Sequence, residues 1–416
     1  FLAMAYIIAV NPNMLVVAGV PFDAALTATC FGAAIMTIAM GLIANRPIAL
    51  ASGMGINAIV AYTLCLGGAA VDWRVAMAIV FLEGIVILIL VACGLRKAVM
   101  DAIPVSLRHA IGIGIGLFIA FIGLKGGGII VANESTILGL GDLSAPVAIV
   151  SLIAIAVAVV LQVLNVKGGL LISIIVATIA GIPLGVTPLP SSWSFGLDFS
   201  AFAAPFQTIP GTDTMAIAQV FLQPALLLFV FSLLMSDFFD TMGTVVAVGQ
   251  RGDFVDKEGN VEDIQEILTV DSAAAIVGGF MGASSVTTFV ESSAGVAEGG
   301  RTGLASMATA ALFFIAMFLA PVAQLIPTYA CAAALIYVGV LMMSNVRTID
   351  WDDPAAAVPG FMTVAFMPLT YNISYGIAFG LISYVFIKIF TGKIKEINVG
   401  TWVITILFAL MFFLTR

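Results

Sequence analysis

Long apolar runs, each ended by a turn or charge signal, dominate the pattern of the chain. A helix needs about 20 apolar residues to cross a hydrocarbon core, so these runs read as successive membrane spans. In the first part of the chain they fall at 1–17, 24–44, 48–66, 74–95, 104–124, 145–165 and 168–186. A segment rich in Pro, Gly, Ser and Trp follows at 187–213. The second part begins with 215–248, long enough to include a polar end, and a charged loop from Gln250 to Glu266. Further runs lie at 270–283, 284–298, 302–324 and 327–344, with a Pro-interrupted hairpin of two spans at 354–391. A last apolar stretch, 399–414, either spans the membrane or lies on it. The prediction is an all-α polytopic membrane protein of about fourteen segments.

Two of these runs are broken in the same way. RPIALASGMGINAIVAY (46–62) and SSVTTFVESSAGVAEGG (284–300) each read as a short extended stretch, then Gly or Ser, then a short helix. Ile103-Pro104 opens the fifth run and Ile326-Pro327 opens the twelfth, so the two parts look related. With an odd number of spans in each, the second copy must be inverted, giving a 7+7 inverted repeat. Broken helices in matching positions of inverted repeats point to a transporter's midplane site.

Composition narrows the class. The 416 residues are 62% hydrophobic and 9% charged, against about 25% charged in a soluble domain. The mean hydropathy of +1.19 agrees. A water-soluble enzyme, a nucleic-acid binder and a disordered chain are excluded. The basic residues also fix an orientation. With the N-terminus inside, Arg46, Arg96, Lys97, Arg108, Lys167, Arg251, Lys257, Arg301, Arg347, Lys388, Lys393 and Lys395 fall at cytoplasmic ends, and only Arg74 and Lys125 at outer ends. The first residues, FLAMAYIIAV, read as mid-helix with no charged start, so further residues are expected to precede them. Cys30, Cys65, Cys93 and Cys331 are widely spaced in apolar segments and read as core residues, and His109 is the only histidine. No metal cluster and no cofactor is predicted.

Charges inside spans cost about 2.5–3.5 kcal/mol each and need a reason. The deep acids are Glu83, Asp237, Asp240 and Glu291, with Asp271 and Glu298 nearer span ends. Asp237 and Asp240 are three apart and share one helix face, with Ser236 and Thr244 available on the same side. Two carboxylates that close repel when both are ionised, which suits a substrate acceptor combined with a proton site. Glu291 is expected where an extended stretch (Thr287, Thr288, Phe289, Val290) turns into a half-helix begun by Ser292 and Ser293. In the matching element, Gly53 and Gly55 permit close backbone approach, and Asn57 offers a donor and an acceptor. The alternative reading of Asn57 is a helix cap or a buried helix–helix hydrogen bond, and Glu83 reads as a structural acid or a coupling group.

With several carboxylates, one amide, aromatic neighbours such as Phe238, Phe239 and Phe289, and no deep Arg or Lys, an anionic substrate is disfavoured. A flat neutral heterocycle with ring N–H groups fits, since a carboxylate accepts two parallel N–H bonds. Other motifs carry little. The glycines of IGIGIG (111–116) read as close helix packing, Arg251-Gly252-Asp253 carries no adhesion role in a cytoplasmic loop, and DFVDKEGNVED (253–263) lacks calcium-loop spacing.

SDFFDTMGT (236–244), TTFVESSAGVAEGGRTGL (287–304), ALASGMGINA (49–58) and FLAMAYIIAVNPNML (1–15) resemble the azaguanine/hypoxanthine–guanine permease branch of nucleobase–cation symporter family two. The resemblance covers essentially the whole chain. It implies a core domain (1–98 and 214–325) and a gate domain (99–213 and 326–416), with elevator-like movement of core against gate. It also implies proton-coupled uptake of purine bases across the cell membrane, and homodimers through the gate domains. The site residues it carries over are Asp237, Asp240, Glu291 and Asn57, with Gly55, Ser292 and Phe289 beside them. Relatives in the uracil and xanthine branches place a span-eight Glu three residues before a Gly. Asp240 precedes Gly243 by that spacing and is the closer match. The stretch 399–414 goes beyond the family's fourteen spans.

The expected function is therefore a proton symporter for guanine, hypoxanthine or adenine. The alternatives are a same-fold transporter of uracil or xanthine, or of an anion. A membrane enzyme has no support in the residues.

Overall fold

The computed structural model describes residues 1–67, 69–95, 103–187, 197–254 and 261–414. Arg96, Lys97 and Lys257, used above for orientation, lie outside the described residues, as does the side chain of Phe239. Eight helices among the described residues are long and apolar enough to cross a membrane, and several shorter apolar helices accompany them.

In the first part, α1 (Ile7–Val17) leads to α2 (Phe22–Ala39), which ends in a π-helical turn, Met40–Ala44. Then come β1 (Leu50–Ser52), α3 (Met54–Ala58, extended by the π-helical stretch Ile59–Cys65), α4 (Trp73–Ala92) and α5 (Val105–Gly126). A hairpin of β2 (Ile130–Asn133) and β3 (Ile137–Leu140) precedes α6 (Pro146–Val163) and α7 (Gly169–Gly181). The second part holds α8 (Ala216–Leu222), α9 (Pro224–Gly252), α10 (Ile264–Met281), β4 (Val286–Thr288) and α11 (Ser292–Ala297). It closes with α12 (Gly303–Ala316), α13 (Ala320–Gln324), α14 (Ala332–Met343), α15 (Pro354–Leu369), α16 (Ile373–Phe390) and α17 (Val399–Leu414).

The helix boundaries follow ordinary end signals. Pro146, Pro224 and Pro354 stand in the first turn of their helices, where a missing N–H costs nothing. Asp72 and Asn372 cap α4 and α16 by accepting from the amides of Arg74 and Tyr375. Two features depart from the sequence pattern. The run 215–248 is two helices, because Gln223 precedes a proline and is held extended (φ −118°, ψ 93°). The β2–β3 hairpin, largely exposed, appears where the apolar pattern predicts no element.

Packing sorts the helices into two sets. In one, α10 lies on α4 and α2, α12 lies on α2, and α1 lies on α2. In the other, α5 packs on α14 and α15, α15 on α16, and α6 on α7 and α14. Backbone approach is close in both. A Cβ on Gly279 would fall 2.6 Å from Phe81 N, and one on Gly339 would fall 2.4 Å from Gly116 O.

Within the first set the two broken runs cross. β1 and β4 pair antiparallel, Leu50 with Thr288, Ala51 with Thr287 and Ser52 with Val286. Gly53 N donates to Ser285 O at 2.9 Å and Phe289 N to Ala49 O at 3.0 Å, extending the ribbon at both ends. All six strand residues are buried. Non-helical backbone at such depth is tolerated only when its polar groups are satisfied by protein; here the strands satisfy each other on the inner edges, Thr37 serves the N–H and C=O of Leu50, and Asp271 accepts from Thr288 N–H.

Candidate functional site

The site forms where α9 passes the crossed strands. Three residues along a helix turn about 300°, so Asp237 and Asp240 diverge by about 60° rather than pointing the same way. That divergence gives them different partners. Asp237 is fully buried and faces α4, where Glu83, also 0% exposed, comes within carboxyl–carboxyl reach. Ser285 Oγ is 3.5 Å from Asp237 Oδ2. Asp240 is only partly buried and lies in the field of Glu291 and Tyr6.

Glu291 stands just before α11, one residue past the turn that leaves β4, where the sequence expects it. Its Oε1 accepts a 2.5 Å hydrogen bond from the Tyr6 hydroxyl of the first apolar segment. One turn beyond Asp240 and Glu291, Gly243 and Gly295 are exposed, and a Cβ on either would meet nothing within 4 Å. The two half-buried acids therefore lie next to open space.

Asp271 has the opposite character. It accepts from the Thr241 hydroxyl (2.7 Å), the Thr287 hydroxyl (3.0 Å) and the Thr288 backbone N–H (2.9 Å). It fastens β4 to α9 and α10. The sequence reading put Asp271 near a span end because it started that span at 270; α10 starts at Ile264, which places Asp271 two turns deep and 3% exposed. Tyr6 was also missed, since a tyrosine in an apolar run looks like a core aromatic.

The remaining predicted residues lie around the crossing. The Asn57 amide donates to Asn11 Oδ1 at 2.6 Å, and Asn11 donates to Thr29 Oγ1 (2.7 Å) and to Ala283 O (3.2 Å). Asn57 thus makes the buried helix–helix bond, while its own Oδ1 has no donor among the described residues. Ser292 Oγ accepts from Ala49 N–H at 3.0 Å, tying α11 to the start of β1. Phe289 is 5% exposed and packs in the apolar core. Gly55 faces α5 of the second helix set, where a Cβ would fall 2.9 Å from Ile115 Cγ2.

Elsewhere on the contact between the sets, the Tyr371 ring packs edge-on against Tyr62 (5.6 Å), Phe118 (5.4 Å) and Phe121 (5.8 Å), with Lys125 Nζ 4.6 Å from its centre. A cavity of about 20 Å³ between α1, α3, α5 and α14, lined in part by Met14, Tyr62 and Ile122, is apolar and does not include the acids. No Lys, Arg or His pairs with the five buried acids among the described residues. The arrangement supplies acceptors for N–H donors and no positive partner for an anion.

Residues 1–379 match the model of the Permease family. The chain is 38% identical over 423 residues to the guanine/hypoxanthine permease PbuO of Bacillus subtilis (strain 168), spanning 100% of this chain and 94% of that protein. It is 37% identical over 417 residues to the adenine permease AdeP of Escherichia coli (strain K12), spanning 99% of this chain and 90% of that protein. Among solved structures, the transmembrane domain of a cyanobacterium bicarbonate transporter, BicA, superimposes with a TM-score of 0.61 over 92% of this chain and 94% of that one. At 16% identity this is a likeness of fold alone.

Proposed function

The chain belongs to the Permease family, and on that premise we propose that it imports purine nucleobases, guanine, hypoxanthine or adenine, in symport with protons. It is a multi-pass membrane permease and not an enzyme. The observation that carries the substrate reading is the pair Asp240 and Glu291, half-buried beside open space and without a cation. A purine offers ring and exocyclic N–H groups, and a carboxylate accepts them in parallel. The names of PbuO and AdeP agree with that chemistry. An anion would meet carboxylates with no compensating charge, so bicarbonate transport of the kind BicA performs does not extend to this site.

In this reading Asp240 and Glu291 hold the purine edge, Gly55 and Asn57 border it from the other broken segment, and Ser292 and Phe289 shape the turn. A span-eight acid, Asp237 or Asp240, carries the proton. The chain is a 7+7 inverted repeat of fourteen segments with its N-terminus in the cytoplasm. A core (1–98 and 214–325) moves as an elevator against a gate (99–213 and 326–416), and copies pair through their gates in the cell membrane. Two facts support the division: the helices pack in two sets, and β1 and β4, from matching places in the two parts, meet antiparallel. One proton moving down 100 mV supplies about 2.3 kcal/mol, enough for a roughly 50-fold gradient of a neutral base.

Uptake of labelled hypoxanthine into proteoliposomes, with unlabelled adenine, guanine, xanthine and uracil as competitors, tests the substrate class. Purines other than xanthine should compete; competition by uracil alone rejects the assignment.

A further inference from the structure

Glu83 is a buried acid with no part in the proposed recognition of substrate. It lies midway along α4, fully buried, at a point where α4 and α10 touch backbone to backbone: a Cβ on the next residue, Gly84, would fall 2.6 Å from Ile276 N. Both Glu83 carboxyl oxygens lack a donor among the described residues, and so does Asp237 Oδ1. The group within reach of Glu83 is the Asp237 carboxyl itself. Two carboxylates cannot donate to each other, and two bare charges in contact in an apolar interior are prohibitively unfavourable. One shared proton removes both problems at once.

From this we infer that Glu83 and Asp237 form an acid–carboxylate pair that binds the coupled proton, separate from the Asp240–Glu291 site that binds the purine. The inference rests on the proton-symport reading above and adds to it which groups carry the proton. The pair is −1 with one proton and neutral with two, and the neutral form is the one that moves most cheaply with its helices through a low-dielectric surrounding. The proton arrives from the outer solution and leaves to the inner one, so no other reactant is needed. An ion the size of sodium would have to part the two carboxyls, whereas a proton joins them. The titratable groups facing the pair are Asp271 of α10 and Asp240 of α9. α8 and the turn Ala204–Phe206, which also pack on α4, carry none, and the π-helical stretch Ile59–Cys65 brings Tyr62 and Cys65 against α4 but not against the pair. α9 then joins the two sites within one turn: Asp237 looks toward the proton and Asp240 toward the purine.

The test uses the whole purified chain in liposomes and two assays. One is exchange of labelled for unlabelled hypoxanthine with no gradient, which needs binding and movement but no net proton flow. The other is accumulation driven by an imposed pH gradient. The Glu83→Gln variant is expected to keep exchange within about threefold of the parent and to lose at least about tenfold of driven accumulation. The exchanged pair Glu83→Asp with Asp237→Glu is expected to regain accumulation. Parent-level accumulation with unchanged pH dependence in Glu83→Gln overturns the inference, as does loss of exchange in a variant that still elutes as the folded protein. If Glu83→Gln does not fold, the exchanged pair decides: intact exchange without coupling there overturns it. A parent protein whose accumulation ignores the pH gradient, or needs sodium in place of choline, instead overturns proton symport itself.

Discussion

The Tyr6 hydroxyl donates to Glu291 Oε1 at 2.5 Å, joining residues 285 positions apart. This bond holds the carboxylate that precedes α11, one of the two proposed to accept from the purine. Hydrogen bonds to charged groups contribute about 1.5–3 kcal/mol, so its loss is measurable. Tyr6→Phe should raise the KM for hypoxanthine by roughly tenfold, with a smaller change in maximal rate. Uptake kinetics at matched protein levels check this. An unchanged KM means Tyr6 does not position the acid.

Asp240→Asn and Glu291→Gln each replace an acceptor by an amide that can present N–H to N–H. Each should lower hypoxanthine uptake at least about tenfold, because a buried donor left facing a donor loses both bonds. Binding of labelled hypoxanthine to the purified variants should fall in parallel. Near-normal binding in both would remove them from the site.

Asp271 is predicted to act on stability and not on recognition. Its three donors, Thr241, Thr287 and the Thr288 amide, hold the strand crossing. The Thr241 and Thr287 hydroxyls also share a 2.8 Å bond, so Asp271→Ala leaves the Thr288 N–H and one of the two hydroxyls without an acceptor in the interior, at a cost of about 2 kcal/mol or more. The apparent Tm of the detergent-purified protein should drop by several degrees, and conservative Asp271→Asn should recover part of it. A Tm equal to that of the parent in Asp271→Ala contradicts the structural role.

Gly55 touches the opposite helix set through Ile115. A methyl there would sit at 2.9 Å from Ile115 Cγ2, tighter than side chains tolerate. Gly55→Ala should therefore slow transport more than it weakens equilibrium binding. Adding Ile115→Val, which trims the same wall, should restore part of the rate. If the second substitution has no effect, the contact is not what limits movement.

How much of this was legible beforehand follows from what each feature depends on. The helical, multi-span character was readable because a bilayer demands a long apolar run, and only composition over about twenty residues matters. The extended stretch before a half-helix was readable, though not its pairing with the other broken run, because Thr287, Thr288 and Phe289, then Ser292 and Ser293, change propensity within a few residues. The β2–β3 hairpin was not, because 126–144 is rich in Gly and has no sustained alternation. Contacts between distant elements were the least visible. That Asp237 reaches Glu83 while Asp240 lies in the field of Glu291 depends on the rotation of α9 and the depth of α4, neither of which the spacing of three residues determines. Tyr6 and Asp271 acquire their roles only when α1, α10 and β4 are brought together.

The central claim, proton-driven purine import by this chain, is tested most directly in liposomes holding only the purified protein. Labelled hypoxanthine is added outside, and the inside is buffered one pH unit above the outside. The account predicts accumulation above the outside concentration that collapses when a protonophore dissipates the gradient. Equilibration to equal concentrations, unaffected by the pH difference or the protonophore, would contradict it.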